Sequence, residues 1–283
     1  MLADIDILLP LFKPNLEQFE QCVLSLNNQT YKNFRVIIIN DGGSFDYKTI
    51  LPQCKFEYIC LDLAFNQGIS SALNLGIEKI KSPFVARMDA DDVCYPQRLE
   101  MQLKFMTESR ETDIIFSGIT KFTNQKEFNF SKKIETDGLF LSAKEVAGIM
   151  LFKNFVCHPT AFFRSTIFEN FRYSPMLRKS QDYDLWMRML IKKVNIRYFE
   201  TPLLYYRVGH KDTVDLIQRE NFFDSRRSLA PDVASAWFGP DVGQSIRNLY
   251  SDQSILNLGI LHIMQSSIPK KLYLKELIRY VWS

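Results

Sequence analysis

The sequence predicts an α/β protein built on a Rossmann-like, mostly parallel sheet with helices on its faces. Continuous apolar runs, of which residues 34–39 are the clearest, are typical of strands that are covered on both sides. These runs alternate with segments whose apolar residues recur at helical spacing, such as Leu16, Phe19, Val23 and Leu26. Strands that alternate with helices in this way predict parallel strands joined by crossover helices.

The pattern assigns an element to most of the chain. Strands are predicted at residues 5–12, 34–39, 56–61, 84–88, 113–119, 156–163, 194–199 and 203–208. Helices are predicted after Asn15, at 67–81, after Pro96, at 141–153 and at 181–193. Residues 121–140 lose periodicity and predict a hairpin or loop, whereas the pattern beyond residue 212 is helical. We therefore divide the chain into a sheet domain, residues 1–210, and a helical extension, residues 211–283.

The composition excludes several classes of protein. The chain has 283 residues, of which 46% are hydrophobic and 24% are charged, as in a globular protein. The net charge of +3 is too small to indicate a nucleic-acid partner. No apolar run approaches the ~20 residues of a membrane helix, and the acidic N-terminus does not resemble a signal peptide. The five cysteines, an odd number without a C-x-x-C pair, predict reduced thiols in a cytoplasmic protein.

The most informative stretch follows the predicted strand at 84–88, where Asp89, Asp91 and Asp92 lie close together. Carboxylates at the end of a buried strand repel one another and resist desolvation, so a fold retains them most readily where a cation neutralises them. Oxygen ligands at this spacing suit Mg²⁺ or Mn²⁺ that carries phosphates. The alternative is a polar loop that caps the helix after Pro96.

Ligands of parallel sheets bind beyond the carboxyl ends of the strands, where this sequence has loops at residues 10–14, 40–45 and 89–95. The first loop carries no G-x-G-x-x-G, and the chain contains no P-loop. A nucleotide at this edge would therefore be held through a metal rather than through a glycine-rich loop.

Seven segments carry a resemblance to a known family. They are the first strand running into Pro10, Asn40-Asp-Gly-Gly-Ser44, Asn66-Gln-Gly-Ile-Ser-Ser-Ala-Leu-Asn-Leu-Gly76, Ala86-Arg-Met-Asp-Ala-Asp-Asp92, His158-Pro-Thr160, Gln181-Asp-Tyr-Asp-Leu-Trp186 and Leu204-Tyr-Tyr-Arg-Val208. In this order they resemble the inverting family 2 glycosyltransferases of the GT-A fold, of the bacterial surface-polysaccharide kind. The similarity covers residues 5–210. It implies transfer of a sugar from a nucleotide-sugar donor, with a UDP-hexose as the expected donor.

The resemblance implies a role for each matching residue on the donor side. Asp41 corresponds to the acid that hydrogen-bonds the nucleotide base, although a turn-forming aspartate would look the same. Asp91 and Asp92 correspond to ligands of Mn²⁺ or Mg²⁺, with His210 as a further ligand on a terminal lid. The other donor-side positions are Pro10, Asn66, Gly68, Arg87, Asp89, Arg207 and Lys211. A salt bridge remains an alternative for Arg87, and a helix cap remains one for Asn66.

On the acceptor side, Asp182 corresponds to the general base that deprotonates the attacking hydroxyl. Gln181 stands before it where the family commonly has Glu. His158, Asp184 and Trp186 are the expected acceptor contacts, with core packing as the alternative for Trp186 and a structural role as the alternative for His158. The implied acceptor is a growing glycan or a lipid-linked sugar of lipopolysaccharide, capsule or a related polysaccharide.

Two other functions fit parts of the pattern. A metal-dependent nucleotidyltransferase would need more positive charge near the first loop than Lys13 supplies. A non-catalytic partner protein would be favoured by loss of the acidic cluster or of Asp182, and both are present. Residues 270–282 predict a basic amphipathic helix with aromatic residues, which suits either an anionic membrane surface or packing against the core. The implied location is the cytoplasm, with the inner face of the membrane as the place where such a helix would bind.

Overall fold

The computed structural model describes residues 3–43, 46–123, 128–130, 134, 139–208 and 216–251, except for the side chains of residues 216–224, 249 and 251. The expectations for His210, Lys211 and residues 270–282 lie outside the described residues. The same is true of most of the predicted hairpin at 121–140.

The first half of the chain forms four parallel strands in the order β3-β2-β1-β4. The strands are β1 (Ile5–Leu11), β2 (Phe34–Asn40), β3 (Glu57–Asp62) and β4 (Phe84–Arg87). They alternate with the helices α1 (Leu16–Asn27) and α2 (Ile69–Ile77). All four strands therefore direct their carboxyl ends to one edge of the sheet.

The second half extends the same sheet beyond β4. Its strands are β5 (Val93–Cys94), β6 (Ile114–Phe122), β7 (Phe140–Leu141), β8 (Phe162–Arg164) and β9 (Ile196–Arg207). Its helices are α3 (Arg98–Glu108), α4 (Ala143–Met150), α5 (Gln181–Ile191), α6 (Leu216–Phe238) and α7 (Pro240–Ser251). The described residues thus form a nine-stranded sheet that continues as β4-β8-β6-β9-β5, with β7 on β9. Across the whole sheet, β1 to β4, β6 and β9 run in one direction, and β5, β7 and β8 run in the opposite direction. Six of the nine described strands are thus parallel, and the prediction of a mostly parallel α/β sheet is confirmed.

Apolar side chains pack on both faces of the sheet, as the continuous apolar runs predict. In β2, Ile37 and Ile39 pack in a core with helices α2, α4 and α5, whereas Val36 and Ile38 face a second core with α1 and α3. The described part of the helical extension joins the first of these cores through buried side chains of α6 and α7, namely Ala230, Val233, Ala234 and Ile246. These two helices therefore pack onto the sheet domain.

The end of the sheet differs from the predicted elements in several respects. The strand expected at 156–163 is the shorter β8, which follows a 3₁₀ turn at His158–Thr160. The two strands expected at 194–199 and 203–208 are one bulged strand, β9, whose register against β6 shifts around Gly118. A Cβ atom at Gly118 would lie 2.0 Å from the carbonyl oxygen of Glu200, so the bulge requires glycine there. The short strand β5, which directly follows the acidic loop, was not predicted. It pairs Val93 with Tyr205 of β9.

A buried ion pair fixes the amino-terminal side of the sheet. Arg35 of β2 donates to both carboxylate oxygens of Asp6 in β1, at 2.8 and 3.0 Å. Asp6 Oδ2 also accepts the backbone N–H groups of Lys81 and Ser82, at 2.7 and 3.0 Å. The carboxylate therefore links two strands to the turn that leads into β4.

Within the described residues, no helix is long and apolar enough to cross a membrane.

We predict that Asp6→Ala lowers the free energy of unfolding by about 3–5 kcal/mol, because Arg35 would stay buried without its partner. Urea unfolding measures this change. The exposed pair between Asp232 and Arg247 gives a matched control, and Asp232→Ala should cost about 1 kcal/mol or less. Equal effects of the two substitutions would contradict a special role for the buried pair.

Candidate active site

The acidic loop follows β4 at the carboxyl edge of the sheet. One carboxylate oxygen from each of Asp89, Asp91 and Asp92 lies within 4.8 Å of the other two. Asp92 is 1% exposed, and its Oδ2 is buried without a hydrogen-bond partner in the described structure. A buried carboxylate oxygen that lacks a proton donor suits a cation, so these residues fit the expected Mn²⁺ or Mg²⁺ site.

The carboxylates of this loop repel one another. Burial, and then the charges of Asp89 and Asp91, raise the pKa of Asp92 well above its ordinary value. Asp91 is exposed, yet the surrounding protein still partly desolvates its carboxylate. This desolvation, followed by the charge of Asp89, raises its pKa as well. A divalent cation would relieve this repulsion directly.

One ion pair and one backbone hydrogen bond already stabilise the charged loop. Arg87, at the end of β4, is 2% exposed and forms an ion pair with Asp89 from beneath the loop. The backbone N–H of Arg207, at the end of β9, donates to Asp92 Oδ1 at 2.8 Å. The salt bridge that was left open as the alternative for Arg87 is therefore present.

The side chain of Arg207 holds the loop in place. Its Nε donates to the carbonyl oxygen of Asp91 at 2.7 Å, and its terminal nitrogens donate to Gln21 Oε1 at 2.6 Å and to the carbonyl oxygen of Thr123 at 3.2 Å. Its guanidinium also lies 4.4 Å from the centre of the Phe122 ring. Arg207 thus bonds protein acceptors, and its expected contact with the donor remains a prediction.

Asp41 organises the neighbouring loop. Its Oδ1 accepts the N–H of Gln67 at 2.7 Å, and its Oδ2 accepts the N–H of Gly68 at 2.9 Å and Asn66 Nδ2 at 2.8 Å. Helix α2 is capped by Gly68, without a side-chain bond, so Asn66 binds Asp41 instead of capping the helix. Gly42, with φ of 72°, allows the close approach, because a Cβ there would lie 2.0 Å from the backbone of Phe65.

A cavity of about 420 Å³ opens between these two loops. The structure brings six of the expected donor-side or metal-binding residues to its lining: Pro10, Asp41, Asn66, Gly68, Asp89 and Asp91. Lys13 and Arg178 also line it, and they give this mostly acidic edge two positive charges. We refer to it as the first cavity.

A second cavity, of about 410 Å³, adjoins the first, because Asp89 and Arg178 line both. Asp182, in the first turn of α5, opens onto this second cavity. Burial raises the pKa of Asp182, and hydrogen bonds from the backbone N–H of Tyr183 and from Asn154 oppose the shift. Asp182 thus lies across the boundary of the two cavities from the acidic loop.

His158 also lines the second cavity, although its side chain is buried. Its Nε2 lies 2.7 Å from the hydroxyl oxygen of Tyr173. Burial, and then the charge of Arg87, lower the pKa of His158 well below its ordinary value, so the imidazole is neutral. The structural role is thereby supported, and contact with an acceptor stays a prediction.

Two acceptor-side expectations need correction. Trp186 is 0% exposed and packs edge-on against Phe116, so its indole is part of the core and not a platform for a sugar. Asp184 lies outside the lining of the second cavity and forms an ion pair with Arg188 at 2.8 Å. Residues two apart on a helix point in different directions, so Asp184 is turned away from the face that carries Asp182.

Sequence reasoning missed two residues of the site. Arg178 precedes α5 by only a few residues, and its proximity to Asp182 in the sequence was a usable signal. Asn154 lies in the loop after α4 and reaches Asp182 only through the fold. No local pattern marks it.

The nine-stranded sheet of the described residues, with helices on both faces, has the architecture of the GT-A fold. Solved structures agree on the fold. Staphylococcus aureus TarS (residues 1–349) in complex with UDP has a TM-score of 0.66 at 16% identity, covering 89% of this chain and 71% of that one. TarS in complex with UDP-GlcNAc has the same TM-score at 14% identity, covering 89% and 72%.

Residues 7–172, more than half of the chain, match the model of glycosyl transferase family 2, and the chain belongs to this family. The Escherichia coli O-antigen biosynthesis glycosyltransferase WbnJ is 35% identical over 67% of this chain and 74% of its own length. The Erwinia amylovora amylovoran biosynthesis glycosyltransferase AmsE is 28% identical over 77% and 80%. The E. coli UDP-Glc:alpha-D-GlcNAc-diphosphoundecaprenol beta-1,3-glucosyltransferase WfaP is 29% identical over 72% and 79%. The resemblance seen in the motifs is thus confirmed.

We predict that Arg207→Ala lowers the free energy of unfolding by about 1–3 kcal/mol and releases the acidic loop, because the hydrogen bonds of the guanidinium are lost together. Hydrogen exchange should accelerate at the amides of residues 91–95. Arg197→Ala is a matched control, since Arg197 also lies over an aromatic ring, Phe140, but is remote from this loop in the sheet. Unchanged exchange at residues 91–95 in Arg207→Ala would show that the side chain does not hold the loop.

Proposed function

We propose that the protein is an inverting, metal-dependent hexosyltransferase of surface-polysaccharide synthesis. It moves a sugar from a nucleotide-sugar, with UDP-hexose as the expected donor, to a hydroxyl of a glycan or glycolipid. The observation that carries the proposal is the pair of adjoining cavities, one with the acidic loop and the other with Asp182, which share Asp89 and Arg178. One cavity suits the donor and the other the acceptor.

The donor would occupy the first cavity. Its diphosphate would lie at Asp91, with the buried Asp92 as the second ligand of the metal, and its nucleoside would lie toward Asp41 and Pro10. A Mn²⁺ or Mg²⁺ ion bound there would stabilise the negative charge that develops on the leaving diphosphate. A uridine donor is supported by the UDP and UDP-GlcNAc complexes of TarS and by the UDP-Glc in the name of WfaP.

Asp182 would act as the general base in the second cavity. Its carboxylate accepts the proton of the acceptor hydroxyl as that oxygen attacks the anomeric carbon from the side opposite the diphosphate. One displacement inverts the anomeric centre, so an α-linked donor gives a β-linked product. The raised pKa of Asp182 makes it a stronger base than an exposed aspartate, while its hydrogen bonds favour the ionised form.

The acceptor and the cellular location are proposed on the relatives. WbnJ and AmsE are named for O-antigen and amylovoran biosynthesis, and the name of WfaP includes a diphosphoundecaprenol-linked acceptor. We therefore favour a lipid-linked glycan acceptor and action at the inner face of the cytoplasmic membrane. Family membership favours glycosyl transfer over nucleotidyl transfer, and the acidic loop and Asp182 give a non-catalytic role no support.

We predict that UDP or a UDP-sugar stabilises the protein when Mn²⁺ is present. A nucleotide at 100 times its Kd adds about 2.7 kcal/mol, which a thermal shift assay detects. Asp91→Ala should remove most of the metal-dependent part of this gain, whereas Asp232→Ala, on the exposed surface of α6, should retain it. If UDP, GDP, CMP and their sugars all leave the melting temperature unchanged in Mn²⁺, the proposed donor site is wrong.

We predict that Asp182→Asn lowers sugar transfer by at least ~10²-fold while the donor still stabilises the protein, because the amide cannot accept the hydroxyl proton. Transfer is measured with a nucleotide-sugar that raises the melting temperature of the protein in the thermal shift assay. Asp184→Asn is the control two residues along the same helix, and its carboxylate pairs with Arg188 outside the cavity. Full transfer by Asp182→Asn would remove Asp182 from its role.

A further inference from the structure

Asn154 approaches the proposed base from a different part of the chain. It lies in the loop between α4 and the 3₁₀ turn His158–Thr160, and its Nδ2 is 3.1 Å from Asp182 Oδ2. Only the amide NH₂ can donate to a carboxylate, so the orientation of the amide follows from this contact. The bond joins the two side chains directly, across 28 positions of the sequence.

The other end of the amide is unsatisfied. Asn154 Oδ1 is buried and has no hydrogen-bond partner among the described residues. Burying an unpaired carbonyl oxygen costs free energy, and an apolar side chain of similar size would avoid that cost. Asn154 therefore keeps its bond to Asp182 although its own carbonyl oxygen is unpaired. This points to a role in the site rather than in stability.

Several charged or titratable groups face Asp182 in the second cavity. They come from β4 and its loop, the turn around His158, the segment before α5, and β9, and they are Arg87, Asp89, Cys157, His158, Arg178, Lys179 and Tyr206. The buried Tyr173 does not line the cavity but interacts electrostatically with Asp182. The charge of Arg87 favours the carboxylate form of Asp182 through space. Asn154 bonds the carboxylate directly, through an amide that does not titrate.

We propose that Asn154 is the positioning residue of the general base. By holding Oδ2, its amide sets the plane of the Asp182 carboxylate, so that the remaining lone pairs are those that take the proton of the acceptor hydroxyl. The same bond favours the ionised carboxylate and keeps the base active at lower pH. This inference rests on the proposed function, since it requires Asp182 to be the base.

The test compares the pH dependence of transfer in the wild type, Asn154→Ala and the nearly isosteric Asn154→Asp. Transfer requires ionised Asp182, so activity falls as the pH drops below the pKa of that group. Removing a donor to the carboxylate raises this pKa, and the acidic limb of kcat should move up by about 1 pH unit in Asn154→Ala. Asn154→Asp should move it further, because two neighbouring carboxylates share a proton. Stabilisation by nucleotide and Mn²⁺ should not change in either variant.

A control separates this effect from a loss of folding. Asn195, immediately before β9, also has a buried Oδ1 without a partner among the described residues, but it does not line either cavity. Asn195→Ala should leave the acidic limb of the kcat profile at the same pH as in the wild type. An unshifted limb in both Asn154 variants, with the wild type active, would overturn the assignment of Asn154.

A second readout does not depend on transfer. Carbon-13 NMR of aspartate side chains reports the titration of Asp182 directly, with Asp182→Asn identifying the signal. The pKa should rise in the order wild type, Asn154→Ala, Asn154→Asp. If the wild type transfers no sugar, the proposed function fails, and the NMR titration still decides whether Asn154 tunes Asp182. An identical pKa in the three proteins would refute that coupling.

Discussion

The site depends on a concentration of negative charge at the end of β4. Asp89, Asp91 and Asp92 bring their carboxylates together beside buried backbone, where mutual repulsion and desolvation are both unfavourable. Arg87 lies beneath the loop as a buried counter-charge, and the backbone of Arg207 donates to Asp92 from the far side. The loop is therefore held by groups on β4 and β9, which are separated by more than a hundred residues in the chain. Asp92 Oδ2 has no hydrogen-bond partner among the described residues, so it could bind the proposed cation.

The sheet topology places the acidic loop between two cavities, and Asp89 of this loop lines both. The parallel strands β1, β2 and β4 end at the same edge, so the loops at Pro10, Asp41 and Asp89 form one wall of the first cavity. The antiparallel strand β8 then carries the chain back to the opposite edge, and the segment between α4 and β8 supplies the wall of the second cavity. Asp89 and Arg178 belong to both walls. A reaction between two bound molecules needs such a boundary, because the reacting atoms must meet there.

The placement of Asp182 is a separate problem of backbone geometry. Helix α5 begins after Ser180, whose φ of 57° is left-handed and uncommon for a residue with a side chain. The sharp change of direction brings the first turn of α5, with Asp182, to the cavity, while Trp186 one turn later enters the core. The apolar end of α5 thus anchors the helix, and its polar start is left at the site. Asn154 donates a hydrogen bond to this carboxylate from a different loop.

The sequence by itself determined the α/β class, most strand positions, the acidic loop and the family, because each depends on short-range patterns. An apolar run followed by three acids indicates a strand and a charged loop whatever lies elsewhere in the chain. The tertiary structure decided which of these residues meet, and with what partners. In the folded chain, Trp186 is buried and Asp184 pairs with Arg188. The two strands predicted at 194–199 and 203–208 form one strand, β9, and the side chain of Arg207 donates a hydrogen bond to the acidic loop. The fold also brings Asn154 to Asp182 across 28 positions. Burial and long-range hydrogen bonds arise only when distant segments pack, so no local pattern could have supplied them.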